Sequence, residues 1–250
     1  GYDDAVSEDH DFTKRCQLFL PDDIYKSYKD KLISYFTNYS QGLVQLESIS
    51  EFYKRYTLYP EGPQSPAEYR RIPQDLLCTA TNGEVFLDNL GTFTNIRQRL
   101  LTYYPEDIRL RKIAYELNQL AQSGQYNLPR MLQRGDTVAA QLALSQFVYH
   151  YMLAVHLLNK SYAPFYKWIY RHTCNLPILG NTVKYGIPDV LNSSLNDTKH
   201  HIDHLCNALI QELQSHALSN SSIDFLTYQA KEVMQRIQDQ ALRTEDSWVE

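Results

Sequence analysis

Asp9 and Asp11 stand one residue apart in the stretch Ser7-Glu8-Asp9-His10-Asp11-Phe12. In an extended strand, side chains two apart share a face, so the two carboxylates lie side by side with His10 opposite. Like charges that close repel unless a cation sits between them. A hard divalent ion such as Mg²⁺ does this, taking one or two carboxylates and completing its shell with phosphate oxygens. The competing reading is an Asp-rich turn, because Asp bonds its own backbone in loops. A third carboxylate, Glu47, falls on the polar face of a weakly alternating stretch, Leu43 to Ile49. There the alternative is a solvent-facing Glu on an edge strand.

Two elements must carry the acidic pair. Arg15 to Leu20 alternates, with Cys16, Leu18 and Leu20 on one face, as a half-buried strand does. Pro21, followed by Asp22 and Asp23, opens a helix in the way Pro and acids favour. That helix runs to about Phe36, with a stripe of Ile24 or Tyr25, Tyr28, Leu32 and Tyr35 or Phe36. Leu43–Ile49 then completes a strand–helix–strand unit. Glu51 to Tyr59 reads as a helix, the Pro- and Gly-rich stretch 60–66 as a loop, and Pro73 to Leu77 as a short helical piece. Asn82-Gly83 is a turn signal that introduces a short strand, Glu84 to Leu87. A domain boundary is expected near residue 92, giving a head of residues 1–92 and a tail domain of residues 93–250.

Beyond it the pattern is helical. Pro105-Glu106-Asp107 starts a helix with Leu110, Ile113, Ala114, Leu117 and Leu120 as its stripe, and Gly124 stops it as a C-cap. Gln125 to Arg130 reads as a loop. Asp136 to Leu158 is apolar nearly all round, hence central in a bundle. Tyr162 to Thr173 is a short aromatic-rich helix, and Pro177 to Pro188 a loop. Ser194 to His216 and Ser222 to Ala241 form a helical hairpin, with Ser194/Asp197 and Ser221/Asp224 resembling capping boxes. The fold class is therefore α+β: a small mixed-sheet head with a larger all-α helical bundle.

Composition sets limits. With 250 residues, 43% of them hydrophobic, the chain builds a real core, and its formal net charge of −5 argues against a general nucleic-acid coat. Cys16, Cys78, Cys174 and Cys206 are far apart and form no C-x-x-C pair, as expected of free thiols in a reducing, cytoplasmic setting. No run of about 18 apolar residues suggests a membrane span, and no signal peptide is visible. The chain starts at Gly1, without methionine and close to the acidic pair, as a piece lacking an upstream strand would.

Several stretches together resemble a known family. The acidic pair followed by a strand is similar to the second half of the nucleotidyltransferase signature, Gly-Ser, a spacer and Asp-x-Asp. Asn82-Gly83-Glu84-Val85-Phe86-Leu87-Asp88, Tyr104 to Leu110, Ala121 to Asn127 and Tyr162 to Trp168 resemble the bacterial domain-of-unknown-function 4037 family. Its members pair a nucleotidyltransferase-like head with a helical tail domain. The resemblance implies that Asp9 and Asp11 bind Mg²⁺ and that Glu47 is the third, catalytic carboxylate. Gln45 competes for that position on the same face, and Asp88 is a further candidate on another strand. It also places the Gly-Ser element that grips the triphosphate before Gly1.

What the resemblance implies chemically is Mg²⁺-dependent transfer of a nucleotidyl group from a nucleoside triphosphate to a hydroxyl acceptor of unknown identity. Two metal ions about 3.5–4 Å apart would steady the attacking and leaving oxygens. Phosphate charge would also be met by Arg130, Arg134 and Lys167, the arginines as forks and the lysine as a point charge. Arg130 and Arg134 are i,i+4 and share a face in a helical turn. The alternative for all three is ordinary surface ion pairing. His200 and His204 have a zinc-compatible spacing, but without an H-E-x-x-H context a solvated helix face is the better reading. Tyr162, Phe165, Tyr166, Trp168 and Tyr170 are able to stack on a base, although aromatic runs on short helices are more often core. The rival reading is a catalytically inactive nucleotide-binding or protein-interaction module of the same fold.

Overall fold

A computed structural model describes residues 16–40, 43–194 and 197–249 of the chain. It divides into two compact units, residues 1–103 and 104–250.

In the first unit, β1 (Cys16–Leu20) and β2 (Val44–Ser48) pair in parallel, with α1 (Asp22–Ser40) connecting them. The strand–helix–strand unit expected from the alternation is present. Tyr25, Leu32 and Phe36 are the half-buried stripe of α1, while Tyr28 is exposed. Ser48 ends β2 and begins α2 (Ile49–Thr57), since its hydroxyl accepts the Glu51 N–H at 3.1 Å. Ser65 and Glu68 form a capping box on α3 (Pro66–Arg70), and α4 (Gln74–Thr81) follows. The core gathers Phe52, Tyr53, Ile72, Leu77 and Leu100. Phe93, on α5 (Thr92–Leu101), packs its ring 4.4 Å from Phe19 and 5.0 Å from Tyr53. The Tyr53 hydroxyl donates to the Phe93 carbonyl at 2.9 Å. The sequence boundary near residue 92 thus falls at the start of a helix that is packed in this first unit.

The expected strand at Glu84–Leu87 does not form. Residues 84–88 carry no regular structure, and Phe86 and Leu87 are 88% and 78% exposed. Among the described residues the sheet is therefore two parallel strands and not a mixed sheet. A short apolar run after Asn-Gly has no strand to pair with here, and without pairing the extended segment stays bare.

In the second unit every element among the described residues is helical, as the apolar stripes require. α6 (Glu106–Leu120) is central: it packs against α8 (Thr137–Leu158) and α12 (Leu226–Gln235), and is buried nearly all round. Gly124 does not stop it. The chain passes instead through a π-helical segment, Ala121–Asn127, into α7 (Leu128–Gln133), so the expected loop from Gln125 is helical. A Cβ on Gly124 would lie 2.3 Å from Cδ2 of Phe147, so glycine serves here to let α8 come close. Asp136 caps α8 by accepting the Ala139 N–H at 2.9 Å. α8 has the length and hydropathy of a membrane span, yet half of its most apolar stretch is buried inside the unit. Leu144, Phe147, Tyr151 and Val155 fill the core, whereas Val138 and Leu142 are exposed.

After α9 (Tyr166–Thr173), the region expected to loop forms α10 (Gly180–Asn192), with Pro188 inside it. α11 (Thr198–Ser215) follows; Ser194 and Asp197 bond each other just before it. α12 packs mainly on α6 and only lightly on α11, so the last helices are not a simple hairpin. The cause is a row of α6 side chains that receive the end of the chain. Asp107 accepts the N–H groups of Gln238 and Asp239 at 2.9 Å each, before the short helix α13 (Gln240–Arg243).

His156 of α8 is fully buried, its ring stacked 4.9 Å from that of His172. A neutral ring that donates from Nδ1 to the Ser161 carbonyl at 3.2 Å leaves Nε2 3.1 Å from the Thr173 hydroxyl, whose one proton is shared between Nε2 and the Ile169 carbonyl 2.6 Å away. Burial, with the His172 ring beside it, pushes its pKa down to about 3. An unfolded histidine takes a proton near pH 6.5. The unfolded state thus binds more protons than the native state between about pH 6.5 and 3, and stability falls as pH falls through that window. The loss is about 1.4 kcal/mol per pH unit at most. Urea midpoints measured from pH 7.5 to 4.5 should converge on those of His156→Gln as the pH drops. Parallel pH curves for the two proteins would show that His156 is not the titrating group.

Candidate functional site

The carboxyl ends of β1 and β2 come together because the strands run in parallel, and in open sheets of this kind ligands bind at that end. Glu47 sits there, opposite Phe19 in the register. Its side chain is 17% exposed and pairs with the more open guanidinium of Arg55 on α2. Burial pushes its pKa up, Arg55 pulls against that, and Glu51 adds to the rise. A carboxylate made more basic in this way is suited to taking a proton.

Asp22 is the acid that the sequence reading passed over as part of a helix start. It follows Leu20 and Pro21 directly, in the first turn of α1. The Ser50 hydroxyl beside Asp22 holds its carboxyl below the usual range, and Ser48 adds to this against partial burial. One signal pointed to it: an acid placed where a strand hands over to a helix. Asp22 thus faces Ser48 and Ser50, whose hydroxyls lie 3.1 Å apart, while Glu47, one residue before Ser48 on the strand, points to the opposite face and meets Arg55.

Asp88 has a different task. Its carboxylate accepts the Gly91 N–H at 2.9 Å and the Thr94 N–H at 2.8 Å, satisfying donors at the start of α5. Burial works to raise its pKa, but the bonds from Thr94 and Gly91 outweigh it and hold the carboxyl low. It lies on an irregular segment and not on a strand. Gln45 is exposed on β2, two residues before Glu47. Asp9 and Asp11 lie outside the described residues.

The three cations expected to meet phosphate are all exposed on the second unit. Arg130 belongs to α7, with its guanidinium 4.5 Å from the centre of the Tyr126 ring. Arg134 ends the same helix, its N–H bonded to the Arg130 carbonyl at 3.2 Å. Lys167 is on α9, its ammonium 5.4 Å from the centre of the Trp168 ring. None of the three joins a salt bridge among the described residues, so ordinary surface ion pairing is not what occupies them.

The aromatic run is mostly not core: Phe165, Tyr166 and Tyr170 are exposed, Trp168 is half-buried, and Tyr162 alone is buried, against Tyr104. His200 and His204 lie exposed on α11. Among the described residues no group of three His, Cys, Asp or Glu side chains is placed to hold a metal ion.

Residues 69–169 match the family model described as Domain of unknown function (DUF4037). The match runs from the end of α3 into the first half of α9, and contains the stretches at 82–88, 104–110, 121–127 and 162–168. Asp9, Asp11, Asp22 and Glu47 precede it. No curated protein and no solved structure matches the chain.

Proposed function

We propose that this chain, with its DUF4037 stretch at residues 69–169, is a Mg²⁺-dependent nucleotidyltransferase with a nucleoside triphosphate as donor and a hydroxyl group as acceptor. The observation that carries the reading is Glu47: a largely buried carboxylate, raised in basicity, at the carboxyl end of a parallel strand–helix–strand unit. Asp9 and Asp11 would hold Mg²⁺, an oxygen-donor set that suits a hard cation. The ion supplies positive charge against the triphosphate. Glu47 takes the proton from the acceptor hydroxyl, whose oxygen bonds to the α-phosphorus as the bond to pyrophosphate breaks. Arg130, Arg134 and Lys167, exposed on the second unit and outside any salt bridge among the described residues, are the cations proposed to meet phosphate charge. The unpaired thiols fit a reducing, cytoplasmic setting, and burial pushes the Cys78 thiol up to about 11, which keeps it unreactive.

The register sets one condition. Glu47 pairs with Phe19, which lies eight residues beyond Asp11 (11 to 19). Eight extended residues span about 26 Å. Joint action of Glu47 with the acidic pair needs residues 11–16 to depart from a straight extended path in line with β1. The rival reading, a nucleotide-binding module without turnover, has no such requirement.

Titration with ATP and Mg²⁺, followed by calorimetry, and pyrophosphate release together test the reading. In Asp9→Asn/Asp11→Asn, Mg²⁺-dependent ATP binding should be lost, with the melting temperature unchanged or slightly raised because like-charge repulsion is relieved. Glu47→Gln should keep binding and lower turnover about 100-fold or more. A wild type with no Mg²⁺-dependent ATP binding, together with a double variant that melts several degrees lower, ends the proposal. Binding without pyrophosphate release across a range of hydroxyl acceptors favours the rival.

A further inference from the structure

The second unit contains an open cleft of about 520 Å³ walled by Tyr126, Phe225, Tyr228 and Trp248, with Gln122 and Lys231 at its edges. Tyr126, Tyr228 and Trp248 are each more than two-fifths exposed, an unusual concentration of bare aromatic surface. The cleft is built and not incidental, because polar side chains, half-buried at one wall and fully buried at another, bracket two of its walls. The Gln125 amide donates to the Asp224 carbonyl and accepts the Leu226 N–H, both at 2.9 Å, which holds Phe225 between them. Asn118, 1% exposed, donates to the Ser247 carbonyl at 3.1 Å. Arg111, 3% exposed, donates to the carbonyls of Val249 at 2.7 Å and Asp246 at 3.2 Å. Trp248 is therefore fixed from both sides. Gln122 and Tyr126 project from the π-helical segment, a geometry found often at functional sites.

The chemistry of the lining narrows the ligand. Aromatic walls favour a planar π face. The Lys231 ammonium lies 5.3 Å from the centre of the Tyr228 ring, and the Arg130 guanidinium 4.5 Å from that of Tyr126. Neither cation has a carboxylate partner among the described residues, so an anionic group completes the charge balance. The Gln122 side chain has no hydrogen-bond partner among the described residues and offers a donor and an acceptor side by side, the pattern that reads the edge of a base.

We propose that this cleft binds one nucleotide unit without metal, its base between the aromatic walls, its edge against Gln122 and its phosphate against Lys231. The unit is either a free mononucleotide or one residue of a single-stranded oligonucleotide. This site does not depend on the acidic pair or on Glu47, and stands whether or not the nucleotidyltransferase reading does.

The test is quenching of tryptophan fluorescence in EDTA, which silences any Mg²⁺-dependent site, with AMP, adenosine and a hexa-adenylate RNA as probes. AMP should quench saturably in the full chain and in Asp9→Asn/Asp11→Asn alike, and the quench should vanish in Trp248→Phe. Adenosine should bind about tenfold more weakly than AMP, and Lys231→Ala should remove that difference, since one charge-assisted phosphate contact is worth about that factor. Hexa-adenylate binding tenfold tighter than AMP identifies the strand as the source, and equal binding identifies the mononucleotide. Tyr228→Ala should weaken all three probes. Should that variant melt early, Lys231→Ala, at an exposed position, carries the test alone. No quench by AMP or by hexa-adenylate at millimolar concentration, a quench retained in Trp248→Phe, or AMP and adenosine binding equally to the wild type each overturns the proposal.

Discussion

Gly124→Ala should destabilise the protein by about 3 kcal/mol or more, the upper part of the range for overpacking a core. The added methyl would meet Cδ2 of Phe147 at 2.3 Å and Cε2 at 2.8 Å. The Phe147 ring is fully buried in the middle of α8, so it has no solvent to swing into. Relief therefore requires α8 and the π segment to separate along their contact, which opens voids on both sides. The cause is steric, so a smaller partner should compensate: Phe147→Leu in the Gly124→Ala background should recover part of the loss, although Phe147→Leu alone is itself destabilising. Urea midpoints of the four proteins check this. A midpoint for Gly124→Ala equal to that of the wild type would mean that the helices do not approach this closely.

Arg111→Leu should release the end of the chain from α6 at a cost of about 2–3 kcal/mol, in line with the loss of hydrogen bonds to a buried charge. The guanidinium is 3% exposed and makes three contacts at once, with the Glu245 carboxylate at 3.1 Å and the carbonyls of Asp246 and Val249. The released carbonyls turn to water, so the penalty is loss of docking and not burial of orphaned groups. Hydrogen exchange and limited proteolysis should therefore rise sharply in residues 244–249 and little elsewhere. Arg111→Lys should behave almost like the leucine variant, because a single ammonium cannot span the three acceptors that a planar fork reaches. Unchanged exchange in residues 244–249 would show that Asn118 and Asp107 hold the segment by themselves.

Much of this architecture was legible because local and global signals agree. Asp136 followed by an apolar run gives a capped core helix, and the stripe from Leu110 to Leu120 gives its partner. Ser48 is both the end of a strand and a cap, a double role missing from the reading of a strand to Ile49 and a helix from Glu51. The misreadings come from glycine and proline taken as punctuation. Gly124 lies inside a helical rod because of what faces it, and Gly186 in α10 likewise, since a Cβ there would be 2.7 Å from Leu205. Close approach of two helices is a tertiary fact that a single sequence does not display. Glu84–Leu87 fails for the converse reason: its strand-like residues find no partner strand among the described residues.

The candidate site was legible in part. Glu47 stands out by its position on an alternating stretch, and its link to Arg55 follows from where α2 turns back past β2. Asp22 was hidden behind an equally good explanation, a helix first turn. The aromatic cleft left no trace in the sequence, because its walls come from residues 122–126, 225–231 and 248, which only the packing of α12 on α6 brings together.

The π-helical segment also sets the phase of everything after it. A turn closed by i→i+5 bonds holds one residue more than an α turn, and each residue of an α-helix rotates the chain by about 100°. Loss of a single codon between residues 121 and 127 would let the rod run as plain α-helix from Glu106 to Gln133, and would swing α7 by roughly that angle. Leu128, now 1% exposed, would turn out of the core and a polar neighbour would turn in. The same loss in the irregular stretch at 84–87, before the Asp88 carboxylate that bonds the start of α5, would be taken up by slack. The rod is thus a place where counting residues matters more than which residues they are.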